Sequence, residues 1–279
     1  MSHVVPTVLC LLVLSGPAIA APPVAFAWPD GQRAAVSLAY DDALDSQLDT
    51  AIPALDRHGL KGSFYLTLSA DTVRTRLDDW RAAARNGHEL GNHSLFHQCA
   101  ASKPGRDWVR PEHDLDAMTA LQMQEQVRLA STMLQAIDGA TLRTFTVPCG
   151  DTFAGDGEYV SDLSADFVAI KVTGGAVVSD MQRVDAGAVP VDAPVGLDGA
   201  ALIAQVEDAA RRGTMVNLTF HGIGADHLAV SSEAHAQLLE HLAASPHVYW
   251  TATFRDIMTW VRGQQVRTLD AARQNVRTP

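Results

Sequence analysis

Cysteine is scarce in this chain. Of three in 279 residues, Cys10 falls in the apolar first 20, leaving only Cys99 and Cys149 for the rest. Positive charge is in deficit as well: 21 Lys and Arg stand against 32 Asp and Glu, for a formal charge of −11. That balance argues against nucleic acid or an anionic membrane as a partner and suits a neutral or cationic substrate. Internal repeats, low-complexity runs and long linkers are missing, so a single domain is expected. Beyond residue 20 no stretch is apolar enough to span a bilayer. The first 20 residues contain no Asp, Glu, Lys or Arg, run apolar from Val4 to Leu14, and end in Ala18-Ile19-Ala20. This pattern predicts a secretory signal peptide over 1–20, although its start has His3 rather than a Lys or Arg. Residues 21–279 would then be one exported domain, periplasmic or secreted, ending in a polar tail at 265–279. In such a compartment Cys99 and Cys149 are expected to bridge; free thiols and thiolate ligation of a metal are the alternatives.

What is present is an alternation of short β-rich runs and amphipathic helices, the pattern of parallel strands joined by crossover helices. Strands are predicted at 35–40, 63–68, 144–147, 167–172, 189–191, 215–220 and 248–251, with another ending near Leu90. Helices are predicted at 46–58, 71–86, 119–137, 199–212, 232–244 and 256–262. Residues 99–118, rich in Pro, Gly and charge, read as a long loop of the kind that often carries function. Seven or eight such units imply an α/β barrel or a close variant, with reacting groups at the carboxyl ends of the strands.

Polar residues do fall at those ends. The first strand runs into Asp41-Asp42, adjacent carboxylates that point in different directions. Gly91-Asn92 reads as a turn, followed by His93 and His97 at a spacing that would stack two imidazoles on one side of a helical turn. Such a pair can share a divalent cation if a third ligand comes from elsewhere. Thr144–Val147 leads into Pro148-Cys149-Gly150, a tight loop whose N–H groups could face an oxyanion. Leu218-Thr219-Phe220-His221 delivers another histidine at a strand end.

In this order the segments resemble the polysaccharide deacetylase family (NodB homology domain, carbohydrate esterase family four), over roughly Ala34 to Trp260. His93-Ser94-Leu95-Phe96-His97 carries the most specific match. The resemblance implies an irregular, incomplete (β/α) barrel of seven or so strands. It implies that Asp42, His93 and His97 hold a metal, that Asp41 is the general base toward water, and that His221 is the general acid. The Cys149 N–H, beside Pro148, would stabilise the oxyanion, and Leu218 would line the acetyl pocket. Two features depart from the family. Thr146 stands where an Arg usually orients the base, with Arg143 nearby, and the usual Asp–Trp motif is not found, leaving Asp185 or Asp192 to orient His221.

The implied activity is metal-dependent removal of acetyl groups from an N-acetylated sugar or polysaccharide, chitin-like or of the peptidoglycan type. The cation would be Zn, with Co or Mn also able to fill a two-His, one-carboxylate set. An O-acetyl esterase acting on xylan-like polymers and a non-catalytic carbohydrate-binding protein are the alternatives.

Overall fold

The computed structural model describes residues 26–277; the expected leader, with Cys10, lies outside the described residues. The fold is organised around β1 (Ala34–Asp41), all eight residues of which are buried. Its burial follows from pairing on both edges. One edge pairs with β7 (Met215–Phe220) from Ala35↔Met215 to Tyr40↔Phe220. The other pairs with β2 (Ser63–Leu66) at Ala39–Asp41, and with β8 (Tyr249–Ala252) at Ala34–Ser37. From β2 the parallel sheet continues through β3 (Glu89–Asn92), β4 (Thr144–Thr146), β5 (Ala169–Thr173) and β6 (Val189–Val191). It then closes on β7, where Thr219 N–H donates to the Asp192 carbonyl at 2.9 Å and Asn217 Nδ2 to the Pro190 carbonyl at 3.0 Å. Seven parallel strands thus form a nearly closed barrel, with β8 beside the first half of β1.

Alternation along β1 divides the core into layers. Val36, Leu38 and Tyr40 pack outward into a cluster with Leu202 and Val206 of α5 (Gly199–Arg212) and Leu238 of α6 (Ser232–Ala244). Ala35 and Ala39 pack with Tyr65 and with Phe254, Ile257 and Met258 of α7 (Phe254–Arg277). The first turn of α7 lies at the amino ends of β2 and β3. Phe254 N–H donates to Ser63 Oγ at 2.8 Å and Arg255 N–H to Glu89 Oε2 at 3.0 Å, a carboxylate placed where the helix dipole favours it. The opposite end of the barrel is left for the site.

Helix boundaries follow their capping residues. α4 (Ala120–Asp138) opens on a capping box of Thr119 and Gln122 and closes on left-handed Gly139. α5 and α6 begin at Asp198 and Ser231, whose side chains accept from the third residue of the turn. Three expectations need correction. The helix expected over 71–86 is two, α2 (Asp71–Thr75) and α3 (Leu77–Arg85), because Arg76 leaves helical angles at φ −129° while its guanidinium pairs with Asp45, Asp49 and Asp79. The last helix does not stop at 262 but runs through the expected tail to Arg277. Gly91 and Asn92 are not a turn but the end of β3, and Gly91 is required there because a Cβ would meet the Tyr65 ring at 2.4 Å. The helix after β1, α1 (Ile52–Arg57), is entered through a wider π turn at Gln47–Ala51. Among the described residues, no helix is long and apolar enough to cross a membrane.

Candidate metal centre and active-site cleft

A cavity of about 800 Å³ opens at the carboxyl ends of the strands; Asp41, Asp42, His93, His97, Lys171 and His221 all line it. Asp41 ends β1 and is 3% exposed. Asp42 and Ala43 then take left-handed angles, φ 82° and 58°, which turn the chain sharply and separate the two carboxylates. Gln47 ties this corner to β7 by donating to the carbonyls of Asp41 and His221.

The histidine pair is not on a helix. Residues 93–97 form a loop in which Ser94 and His97 are left-handed, φ 66° and 55°. Side chains hold that path: Asn92 Oδ1 accepts from Ser94 N–H at 2.8 Å, and Ser94 Oγ from His97 N–H at 2.9 Å. The imidazoles converge all the same, with Asp42 Oδ1 3.4 Å from His93 Nε2 and 3.2 Å from His97 Nε2. His93 Nδ1 donates to the Thr146 carbonyl at 2.8 Å, which fixes the tautomer and turns Nε2 toward Asp42.

One oxygen and two nitrogens, all within 4.8 Å of one another, suit a tetrahedral divalent cation with an open position. Asp42 Oδ1 itself is buried without a hydrogen-bond donor, as a ligand oxygen would be. His97, Cys99 and Cys149 also cluster, but Cys99 and Cys149 form a disulfide, which leaves no thiolate to ligate.

Burial sets the electrostatics. It would raise Asp42, but the hydrogen bond from His227 and the nearby imidazoles of His93 and His97 outweigh it and hold the carboxyl well below its usual range. Asp41, opposed more weakly by His93, His221 and Lys171, is raised by burial. Burial and the neighbouring His93 push His97 down to about 4. For His93, burial is overcome by Asp41 and Asp42, which lift it to about 8. A cation needs the neutral imidazole, so binding must release the His93 proton below about pH 8. Cation affinity should therefore fall about tenfold for each unit of pH lost below 8. Competition against a chelator at pH 6.5, 7.5 and 8.5 measures this, and a flat profile would contradict it.

The remaining residues fall as follows. His221 places Nε2 3.9 Å from Asp42 Oδ2, while its Nδ1 is buried with no hydrogen-bond partner. Neither aspartate expected to orient it does so: Asp185 accepts from Gly187 N–H in its own turn, and Asp192 meets β7 through its backbone. Arg143 pairs with Asp138 and donates to the Leu90 carbonyl at 2.8 Å, a structural tie before β4 that leaves Asp41 without an arginine. Leu218 packs in the outer core with Leu38 and Phe220, and Thr219 is the residue that faces the cavity. Cys149, at φ 57°, and Gly150 line the cavity beside buried Pro148. Gly150 is required because a Cβ would meet Thr173 Oγ1 at 1.8 Å.

Two lining residues had no signal in spacing. Lys171, fully buried on β5, sets its amine 4.6 Å from the centres of both the Tyr65 and Phe254 rings. Burial lowers it to about 8 against the pull of Asp41 and Glu89, which places an amine near Asp41, where no arginine stands. A lone Lys in the apolar strand Ala169–Thr173 was the visible sign. His227 places Nε2 2.8 Å from Asp42 Oδ2. The 99–118 loop forms one wall, folded around buried Asp151, which pairs with Lys103 and Arg106 and accepts from Ala100 N–H. Its Trp108 stands at the rim, 57% exposed, with its ring 6.3 Å from that of His97.

Comparison with known proteins agrees with this geometry. The profile of the polysaccharide deacetylase family matches residues 29–165, which carry β1, the histidine loop and the Pro148 turn. A gellan lyase from a Bacillus species is 25% identical over 123 residues, 44% of this chain, and the match spans only 4% of that enzyme. Among solved structures, a peptidoglycan deacetylase from Bacillus subtilis is 15% identical and superposes with a TM-score of 0.55, covering 88% of this chain and 99% of that one. The Xyl-CE4 domain of a multidomain xylanase from the hindgut metagenome of Trinervitermes trinervoides is 15% identical, with a TM-score of 0.52 over 83% and 92%. A mutant of a CE4 family pseudoenzyme is 16% identical, with a TM-score of 0.51 over 85% and 72%. At these identities the likenesses establish the fold.

Proposed function

Because the chain belongs to the polysaccharide deacetylase family, we propose that it is a metal-dependent hydrolase that removes acetyl groups from N-acetylated sugar polymers, chitin-like or of the peptidoglycan type. The observation that carries this reading is the convergence of Asp42, His93 and His97 beside a carboxylate and an imidazole that face the same cavity. Asp42, His93 and His97 would hold the cation, Zn by choice of ligands and Co or Mn by availability. Bound there, it supplies Lewis acidity and a water acidic enough to attack at neutral pH.

The chain's own groups divide the proton work. Asp41, without a hydrogen-bond donor on Oδ1, takes the proton of the attacking water. The Cys149 N–H, presented by a left-handed residue at the cavity wall, donates to the oxyanion as it forms. His221 delivers a proton to the departing amine, which leaves poorly as an anion. Two chemically different groups can hold the opposite protonation states this requires. The acidic balance of the chain supports a carbohydrate rather than a nucleic-acid substrate. The disulfide supports export to a periplasm or to the medium.

Acetate release from chitooligosaccharides, peptidoglycan and acetylated xylan tests the reading. Release from N-acetylated glycans is expected, lost on chelation and restored by Zn. Release from xylan alone would move the assignment to an O-acetyl esterase. Carbohydrate binding with no acetate from any substrate would overturn hydrolysis.

A further inference from the structure

His227 belongs to none of the strand-end segments, yet its Nε2 makes the shortest contact to the Asp42 carboxylate, 2.8 Å to Oδ2. The other oxygen, Oδ1, faces His93 and His97. Each oxygen of one carboxylate therefore has its own set of neighbours.

The loop that presents His227 is fastened to the segment that presents Asp42. Asp226 Oδ2 accepts from Ser46 N–H at 2.9 Å, and Ser46 Oγ accepts from Ile223 N–H at 3.1 Å. Ser46 lies just beyond Asp42 in the chain, so the two sides of the contact share an anchor. Within the loop, Gly222 N–H donates to the His227 carbonyl at 3.1 Å, and Val230 N–H to the Gly222 carbonyl at 3.1 Å. Gly222 is indispensable to this path, since a Cβ would meet the Ala225 carbonyl oxygen at 2.0 Å. Asp226 and Leu228, on either side of His227, are both left-handed, φ 64° and 49°. Two non-glycine residues held in that region, flanking one histidine, indicate a conformation imposed by the surroundings.

We infer that His227 is a positioning residue for the cation site, donating Nε2–H to Asp42 Oδ2 so that Oδ1 stays aimed between His93 and His97. The inference rests on the metal-dependent reading of the site. A carboxylate pinned at one oxygen cannot swing away or turn both oxygens to the cation, which keeps a position open for water. Removal of such a partner ordinarily costs ten- to a hundredfold in metal affinity.

The test measures binding without substrate. Zn and Co(II) affinities are determined by chelator competition for wild type, His227→Ala, His227→Gln and His227→Asn, together with the visible absorption of the Co(II) forms. His227→Ala should weaken binding ten- to a hundredfold. His227→Gln, whose amide can still donate to Oδ2, should recover most of the loss. His227→Asn, too short to reach, should resemble alanine and serves as a second probe if the alanine form does not fold. The His227 side chain is 55% exposed, so none of these changes opens the core. Co(II) bands in His227→Gln, which keeps the donor, should hold their wild-type positions. Affinity within twofold of wild type in His227→Ala and His227→Asn would overturn the inference, and so would shifted bands in His227→Gln, which would make His227 a ligand. A protein that shows these affinities but releases no acetate would refute the hydrolase reading and leave the positioning role standing.

Discussion

Replacing Asp41 with Asn is expected to cut acetate release by roughly 10²- to 10⁴-fold while cation affinity stays within about threefold of wild type. The two outcomes separate because the adjacent carboxylates differ in place. Asp42 lies 3.4 and 3.2 Å from the two imidazole Nε2 atoms, whereas Asp41 Oδ2 comes no closer than 3.8 Å to His93. Asparagine keeps the shape of the buried side chain, so β1 and the corner after it should persist, but its amide cannot accept a proton. Asp41 is raised by burial, against the pull of His93, His221 and Lys171. It contributes to turnover only above its own pKa, so the rising limb of the pH–rate profile should lie above that of an ordinary aspartate and be absent in the variant. Steady-state turnover and chelator competition on the same preparation measure both. Unchanged turnover would remove Asp41 as the base, and a large loss of cation affinity would make it a ligand.

The second large effect is expected from the disulfide. Cys99 and Cys149 are 50 residues apart in sequence. Closing a loop of that length restricts the unfolded chain by roughly 4 kcal/mol in the chain-entropy account. The bridge also joins two walls of the site: Cys99 follows His97 by two residues, and Cys149 lies in the turn beside Pro148. Its Sγ on the Cys99 side is 3.5 Å from His97 Nδ1. Changing both cysteines to serine should therefore cost 2–5 kcal/mol of stability and weaken cation binding through a looser His97. Denaturant melts of the double variant, and of wild type with and without reductant, report the first. An unchanged midpoint would mean that the loop is held by Asp151 and its partners alone.

Much of this architecture was legible from periodicity and punctuation. The bounds of β6, α5, β7 and α6 follow directly from apolar alternation, the Asp198 and Ser231 caps and Gly213. The His93–His97 pair was legible as a candidate ligand pair, but its backbone was not. The turn is made by left-handed Ser94 and His97, whose N–H groups donate to Asn92 Oδ1 and Ser94 Oγ, and such side-chain ties have no period. Period-two alternation places His221, Thr219 and Asn217 on one face of β7 and Leu218 on the other, so the strand itself argued against Leu218 in the pocket. Lys171 and His227 had no signal in spacing for a different reason. Each acts through a partner far away in sequence, Lys171 beside Asp41 and His227 beside Asp42, and neither has a spacing companion. The expected orienting aspartate for His221 has no counterpart among the described residues, and its Nδ1 stays unpartnered.

Anomalous diffraction from crystals equilibrated with Zn tests the central claim most directly. The account predicts one strong peak per chain, about 2.0–2.2 Å from Asp42 Oδ1, His93 Nε2 and His97 Nε2. A peak bound by other residues, or none at these three atoms in Zn-saturated crystals, would contradict it.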